Sequence, residues 1–64
     1  MPRLALGDRF VLLRHRAKLT QSGLADVLGV SVWTVQRVER GEGKPRRGTV
    51  ERFGILEARQ RGKV

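Results

Sequence analysis

Two short helical stretches separated by three residues constrain this chain more than any other feature. Thr20 can cap the first orphan N–H groups of one helix, and Gly29 can end that helix by entering a left-handed conformation cheaply. Ser31 is the next capping residue and stands immediately before Val32. Gly29-Val30-Ser31 is therefore all that joins the two helices, and so short a connection forces them to cross steeply. Close crossing needs a small residue on the first helix, and Ala25 stands four positions before the glycine. It also needs apolar residues on the inner face of the second helix, which Val35 and Val38 supply. Leu24, Ala25 and Leu28 form the apolar face of the first, and Gly41 closes the second after Arg40.

The flanking sequence supports this pair with more helix. From Gly7 to Lys18, Phe10, Leu13 and Ala17 fall on one apolar stripe with Leu6. The segment 41–48 holds three Gly and one Pro and reads as a loop. A further helix is predicted from about Thr49, with Val50, Phe53 and Leu56 inward, and Gly54 weakens it by about 1 kcal/mol relative to Ala. From Ala58 onward the chain reads ARQRGKV, has almost nothing to bury, and is predicted to fray. No alternating run reaches strand length. The fold class is all-α: a compact four-helix domain with a helix-turn-helix at about 20–41. Residues 1–64 read as one domain with an ordered core of about 4–57 and a frayed basic C-terminal tail.

Charge narrows the partner. Fourteen Lys and Arg against six Asp and Glu give a formal net charge of +8. That excess repels itself in a small domain with a thin stability margin, so a polyanionic partner is expected. The basic residues are spread through both halves of the chain, which points to a folded basic surface and not an appended arm. Hydrophobic residues make up 39 %, too many for a disordered basic tail. Cysteine is absent and there is one His, so disulfides and zinc cages are excluded. The longest apolar run, Phe10 to Leu13, falls far short of the roughly 20 residues that span a bilayer. The N-terminus shows neither the apolar run nor the cleavage site of a secretion signal. A cytoplasmic, nucleoid-associated protein with no membrane partner is the expectation.

The run TQSGLADVLGVSVWTVQRVERGEGKP resembles the phage-repressor and Cro type of helix-turn-helix domain, also called XRE-like. Gln21, Ala25, Gly29, Val30, Ser31, Val35, Glu39 and Gly41 fill the places of the family pattern. Leu6-Gly7 and Phe10 to Arg14 are similar to its first helix, and Pro45 with Thr49-Val50 to its link to the fourth. The resemblance covers roughly residues 6 to 57 and implies a lambda-repressor-like fold. It implies that Gln21 binds a phosphate from the start of its helix, and that Arg14 and Glu39 form an ion pair joining the first helix to the third. Two departures are visible. Gly23 stands where the family usually has Glu or another good helix former, and a polar basic tail follows where the family commonly adds a fifth, dimer-forming helix.

Taking about 100° per residue from Val32, Gln36 lies near 40°, Arg40 near 80°, Trp33 near 100° and Arg37 near 140°. The core pair Val35 and Val38 falls on the opposite arc. A helix over 31–40 can thus enter a major groove, which is about 12 Å wide. Arg37 can reach guanine O6 and N7, Gln36 adenine or a phosphate, and Val32 a thymine methyl. Trp33 either packs against thymine methyls or sugars at the groove wall, or lies against the domain surface or a partner subunit. Val32, Trp33, Gln36 and Arg37 are the candidate base readers. Gln21, Ser31, Arg40, Lys44, Arg46, Arg47 and Arg14 are the candidate phosphate contacts, with Arg14 mainly scaffold.

The expected function is sequence-specific binding of double-stranded DNA by a transcriptional regulator, a repressor or Cro-like protein, with two copies on half-sites about one helical turn apart. The alternatives are an antitoxin or control protein acting with a protein partner, and a nucleic-acid-coating protein without sequence preference. The coating reading is weakened by the single exposed aromatic, since stacking on RNA normally uses several. No nucleophile–base pair, metal-ligand cluster or phosphate-cradling loop is present in the sequence. An enzyme, a metal and a cofactor are therefore not expected.

Overall fold

The computed structural model describes residues 4–62. Among them the chain forms four helices and no strand: α1 Leu6–Ala17, α2 Gln21–Leu28, α3 Val32–Glu39 and α4 Arg47–Gly62. None is long and apolar enough to cross a membrane. Phe10, Leu13, Leu24, Ala25, Leu28, Val35, Val38 and Phe53 make the core, so every helix contributes to one apolar centre. Phe10 and Phe53 stack at its middle with ring centroids 4.3 Å apart, joining α1 to α4.

The local signals for α2 and α3 act as the sequence predicts. Thr20 Oγ1 accepts from the Gly23 N–H at 2.9 Å, and Ser31 Oγ from the Thr34 N–H at 3.2 Å. Gly29 takes φ 73°, where a side chain is strained. The Val30 N–H then reaches back to the Ala25 carbonyl at 3.0 Å, closing the end of α2. Despite Gly23, α2 is continuous from Gln21 to Leu28.

Helix α1 stops one residue short of Lys18, which itself adopts a left-handed conformation at φ 57°. The Leu19 N–H bonds the Arg14 carbonyl at 2.8 Å, and Leu19 folds onto the core. Gly7 is buried in the first turn of α1 because the end of α3 lies directly on it. A Cβ there would collide with the Val38 carbonyl oxygen and stand 3.1 Å from that of Glu39.

Helix α4 departs most from expectation. It begins at Arg47, two residues before Thr49, and runs to Gly62, past the point where its polar composition predicts fraying. Thr49 is buried and Val50 only half-buried, reversing the inward residue expected in its first turn. Farther along, Arg9 of α1 grips Glu57 with Nε and Nη2, the Nε bond being 3.0 Å. The Arg9 guanidinium also lies 5.5 Å from the Phe53 ring centroid. Hydrogen bonding to Glu57 raises the Arg9 pKa above its ordinary value. A contact between residues 48 positions apart thus holds α4 to α1 near the polar end.

Candidate nucleic-acid interface

The turn Gly29-Val30-Ser31 sets α3 across α2, and α4 braces the end of α2. Arg52 Nη1 donates to the Leu28 carbonyl at 3.1 Å, satisfying one of the carbonyls left open at the end of α2. A Cβ at Gly29 would come within 2.9 Å of that same nitrogen, so the glycine also leaves room for the brace. The sequence carries no local signal for Arg52, because its partner lies on another helix.

Beneath α3 runs a polar chain that joins three helices. Arg14 donates to both carboxylate oxygens of Glu39, Nε to Oε2 at 2.7 Å and Nη2 to Oε1 at 2.9 Å. Its Nη1 donates to the Leu19 carbonyl at 3.4 Å. The side chains of Arg14 and Glu39 are only 17 % and 7 % exposed, so this is a nearly dry pair. It is the link between the first and third helices that the family resemblance implies. Gln21 Nε2 donates to Glu39 Oε1 at 3.1 Å, and Gln36 Nε2 donates to Gln21 Oε1 at 3.4 Å. The candidate phosphate contact Gln21 and the candidate base reader Gln36 are therefore tied to each other and, through Glu39, to the scaffold.

The outer side of α3 is built differently. Val32 and Trp33 are 38 % and 58 % exposed, and Gln36 and Arg37 are half-buried. The Arg37 guanidinium lies over the Trp33 ring, 4.7 Å from its centroid. Trp33, Arg37, Glu42, Lys44, Pro45 and Arg46 line one open hollow of about 340 Å³ between α3 and the loop that follows it. Ser31 is exposed at the start of α3, where it caps the helix.

Two of the candidate phosphate contacts carry acidic neighbours. Arg40, the C-cap of α3, pairs with Glu42 at 3.0 Å, both side chains more than half exposed. Arg47 is the first residue of α4 and not part of the loop, and it pairs with Glu51 at 3.6 Å on the open surface. Exposed pairs of this kind are worth about 0–1 kcal/mol, so they yield readily to a phosphate. Lys44 and Arg46 are exposed and make no ion pair among the described residues.

The structure thus gathers seven of the eleven sequence-predicted residues into two groups, a bonded chain of Arg14, Gln21 and Gln36 and an open hollow with Trp33, Arg37, Lys44 and Arg46, and leaves Ser31, Val32, Arg40 and Arg47 outside both. The sequence profile of a family described as a helix-turn-helix domain matches residues 5–54, which takes in α1 to α3 and half of α4. No curated protein and no solved structure matches the chain.

Proposed function

Because the chain belongs to the helix-turn-helix domain family, whose members are DNA-binding modules, we propose that it reads specific sequences in double-stranded DNA and regulates transcription as a repressor or Cro-like protein. The observation that carries this reading is the division of charge across α3. The helix's one acid, Glu39, faces inward onto Arg14, whereas Trp33, Gln36, Arg37 and Arg40 lie on the side away from the core. The outer side carries no acid of the helix itself, and its neighbour Glu42 is paired with Arg40, so this is the side a polyanion can approach.

Each outer residue then has a role. Arg37 donates to guanine O6 and N7, and Val32 meets a thymine methyl. Gln36 keeps its oxygen and its second N–H for an adenine edge while its other N–H holds Gln21. Gln21 uses its remaining N–H on a phosphate at the start of α2, where the helix N-terminus favours an anion. Ser31, Arg40, Lys44, Arg46 and Arg47 neutralise or bond the backbone on either side. Arg14 is scaffold, because three of its N–H groups are already engaged on Glu39 and Leu19. A single module of this size buries about 600–1,000 Å² on DNA, so tight binding uses two copies on half-sites about one helical turn apart.

The experiment is selection from a random duplex library at near-physiological salt, followed by two variants on the enriched duplex. Arg37→Ala is expected to cost about 1–3 kcal/mol and to relax one base position. Lys44→Ala is expected to weaken every sequence alike and to lower the log–log salt slope by about 0.9. Equal losses from both variants on every duplex would overturn the assignment of α3 as reader. Salt-sensitive binding without any enrichment would replace this function with non-specific coating.

A further inference from the structure

We propose that Trp33 is a positioning residue: it acts on DNA recognition through Arg37, by holding the guanidinium in a slot that uses none of its hydrogen-bond donors. The proposal rests on the reading of Arg37 as a base reader and assigns how that reader is aimed. Trp33 and Arg37 are four residues apart on α3, so their side chains share one side of the helix. The indole supplies one wall of the slot, 4.7 Å from the guanidinium carbon. The loop at Gly43 closes in on the same guanidinium. The glycine's φ of +87° brings the loop backbone close to the side chain, and a Cβ at that position would stand 3.0 Å from Arg37 Nη2 and 3.5 Å from Cζ.

The contrast with the other arginines of the site gives the slot its meaning. Arg14 and Arg40 are both held by carboxylates, and so are Arg9 and Arg47 beyond α3, whereas Arg46 across the hollow makes no ion pair among the described residues but is exposed. Each of those pairs uses N–H groups that a nucleic acid would need. The Arg37 side chain makes no ion pair and no hydrogen bond among the described residues, and the acid nearest to it along the hollow, Glu42, is bonded to Arg40. A planar fork matched to two acceptors is what guanine recognition demands, and fixing that fork in advance lowers the ordering cost of binding. A ring face and a bare backbone can fix it while leaving the N–H edge open. One face of the indole is then taken by Arg37, and the ring's contribution to sequence preference is made through that contact.

The test compares Trp33→Leu, Trp33→Phe, Arg37→Ala and the double variant Trp33→Leu/Arg37→Ala. Affinities are measured on the duplex enriched from the random library and on its three substitutions at the base pair that Arg37→Ala relaxes. Trp33→Leu is expected to lower discrimination at that same base pair about tenfold, within the range of one bidentate contact. Trp33→Phe, which keeps a ring face, restores most of it. In the Arg37→Ala background, loss of the indole adds less than twofold. Without DNA, the Arg37 side-chain protons are expected upfield under the indole ring current and return to ordinary shifts in Trp33→Leu, the remaining spectrum staying that of the folded domain.

Independent, multiplicative losses from the two single variants would overturn the proposal. So would a loss at a different base pair, since Trp33 would then touch DNA itself. Absence of the ring-current shift in the parent protein would overturn it with no reference to DNA. If Arg37→Ala relaxes no base position, or no duplex is enriched, the base-reader assignment falls and this proposal falls with it. If Arg37→Ala is selective and Trp33→Leu is silent, only the positioning role is lost.

Discussion

The inner and outer sides of α3 put the same kinds of side chain to opposite uses. On the inner side, Val35 and Val38 are buried in the core, and Glu39 accepts three hydrogen bonds from Arg14 and Gln21. On the outer side, Arg37 rests on an exposed indole, and Arg40 holds Glu42 on the open surface. An arginine and a glutamate meet on both sides, but only the inner pair is nearly dry. A dry pair is costly to break, because the survivor is left as an unmatched charge. A wet pair is exchanged for water or phosphate at little cost. The difference teaches how eight residues can be rigid toward the domain and still open toward a polyanion.

The largest expected effect tests the inner pair. Glu39→Ala removes the acceptor of both Arg14 and Gln21, and about 3 kcal/mol of stability should be lost, the low end for one partner of a buried pair. Urea denaturation monitored by helicity measures it. A loss under about 0.5 kcal/mol, the size of an ordinary surface substitution, would break the distinction between the two sides. Gly7→Ala comes next. Its added methyl meets the Val38 carbonyl, which is backbone and cannot turn aside. Overpacking of this kind costs about 1–3 kcal/mol, and α1 should be pushed off the end of α3. Unchanged stability would mean that the contact between α1 and α3 is looser than the structure has it.

What could be read in advance follows the range of the interactions. Thr20, Gly29 and Ser31 act within three or four residues of themselves, so their capping roles were legible from spacing alone. The stripe Phe10–Leu13 and the pair Val35–Val38 were legible for the same reason, since one helical period places them. The link from Arg14 to Glu39 spans 25 positions and came only through the family resemblance. Helix α4 starts two residues before Thr49, where the Arg46 carbonyl accepts from the Thr49 and Val50 N–H groups, and near its polar end Glu57 is tied to Arg9 in α1, a contact that no local spacing records. Gly7, Arg52 and Gly43 were missed as positioning residues. Each matters for what another element places beside it, and no periodicity records that. At the site, the identity of the outer residues was legible, but their grouping into a bonded chain and an open hollow was not.

The smallest effect sharpens the comparison from the other side. Arg40→Ala breaks an arginine–glutamate pair of similar chemistry to the inner one, but both side chains remain more than half exposed. Water can take up every group the variant releases, so the expected change in stability stays within about 0.5 kcal/mol. Glu42 is left without its counterion in the lining of the hollow, and its charge then opposes an incoming phosphate. Binding to DNA should therefore weaken on all sequences, with the salt slope reduced by about 0.9 if Arg40 neutralises one phosphate. Denaturation and salt-dependent binding on the same preparation separate the two readouts. A stability loss above about 1.5 kcal/mol with an unchanged salt slope would make Arg40 a second scaffold arginine, and the boundary between the two sides of α3 would lie one residue farther out.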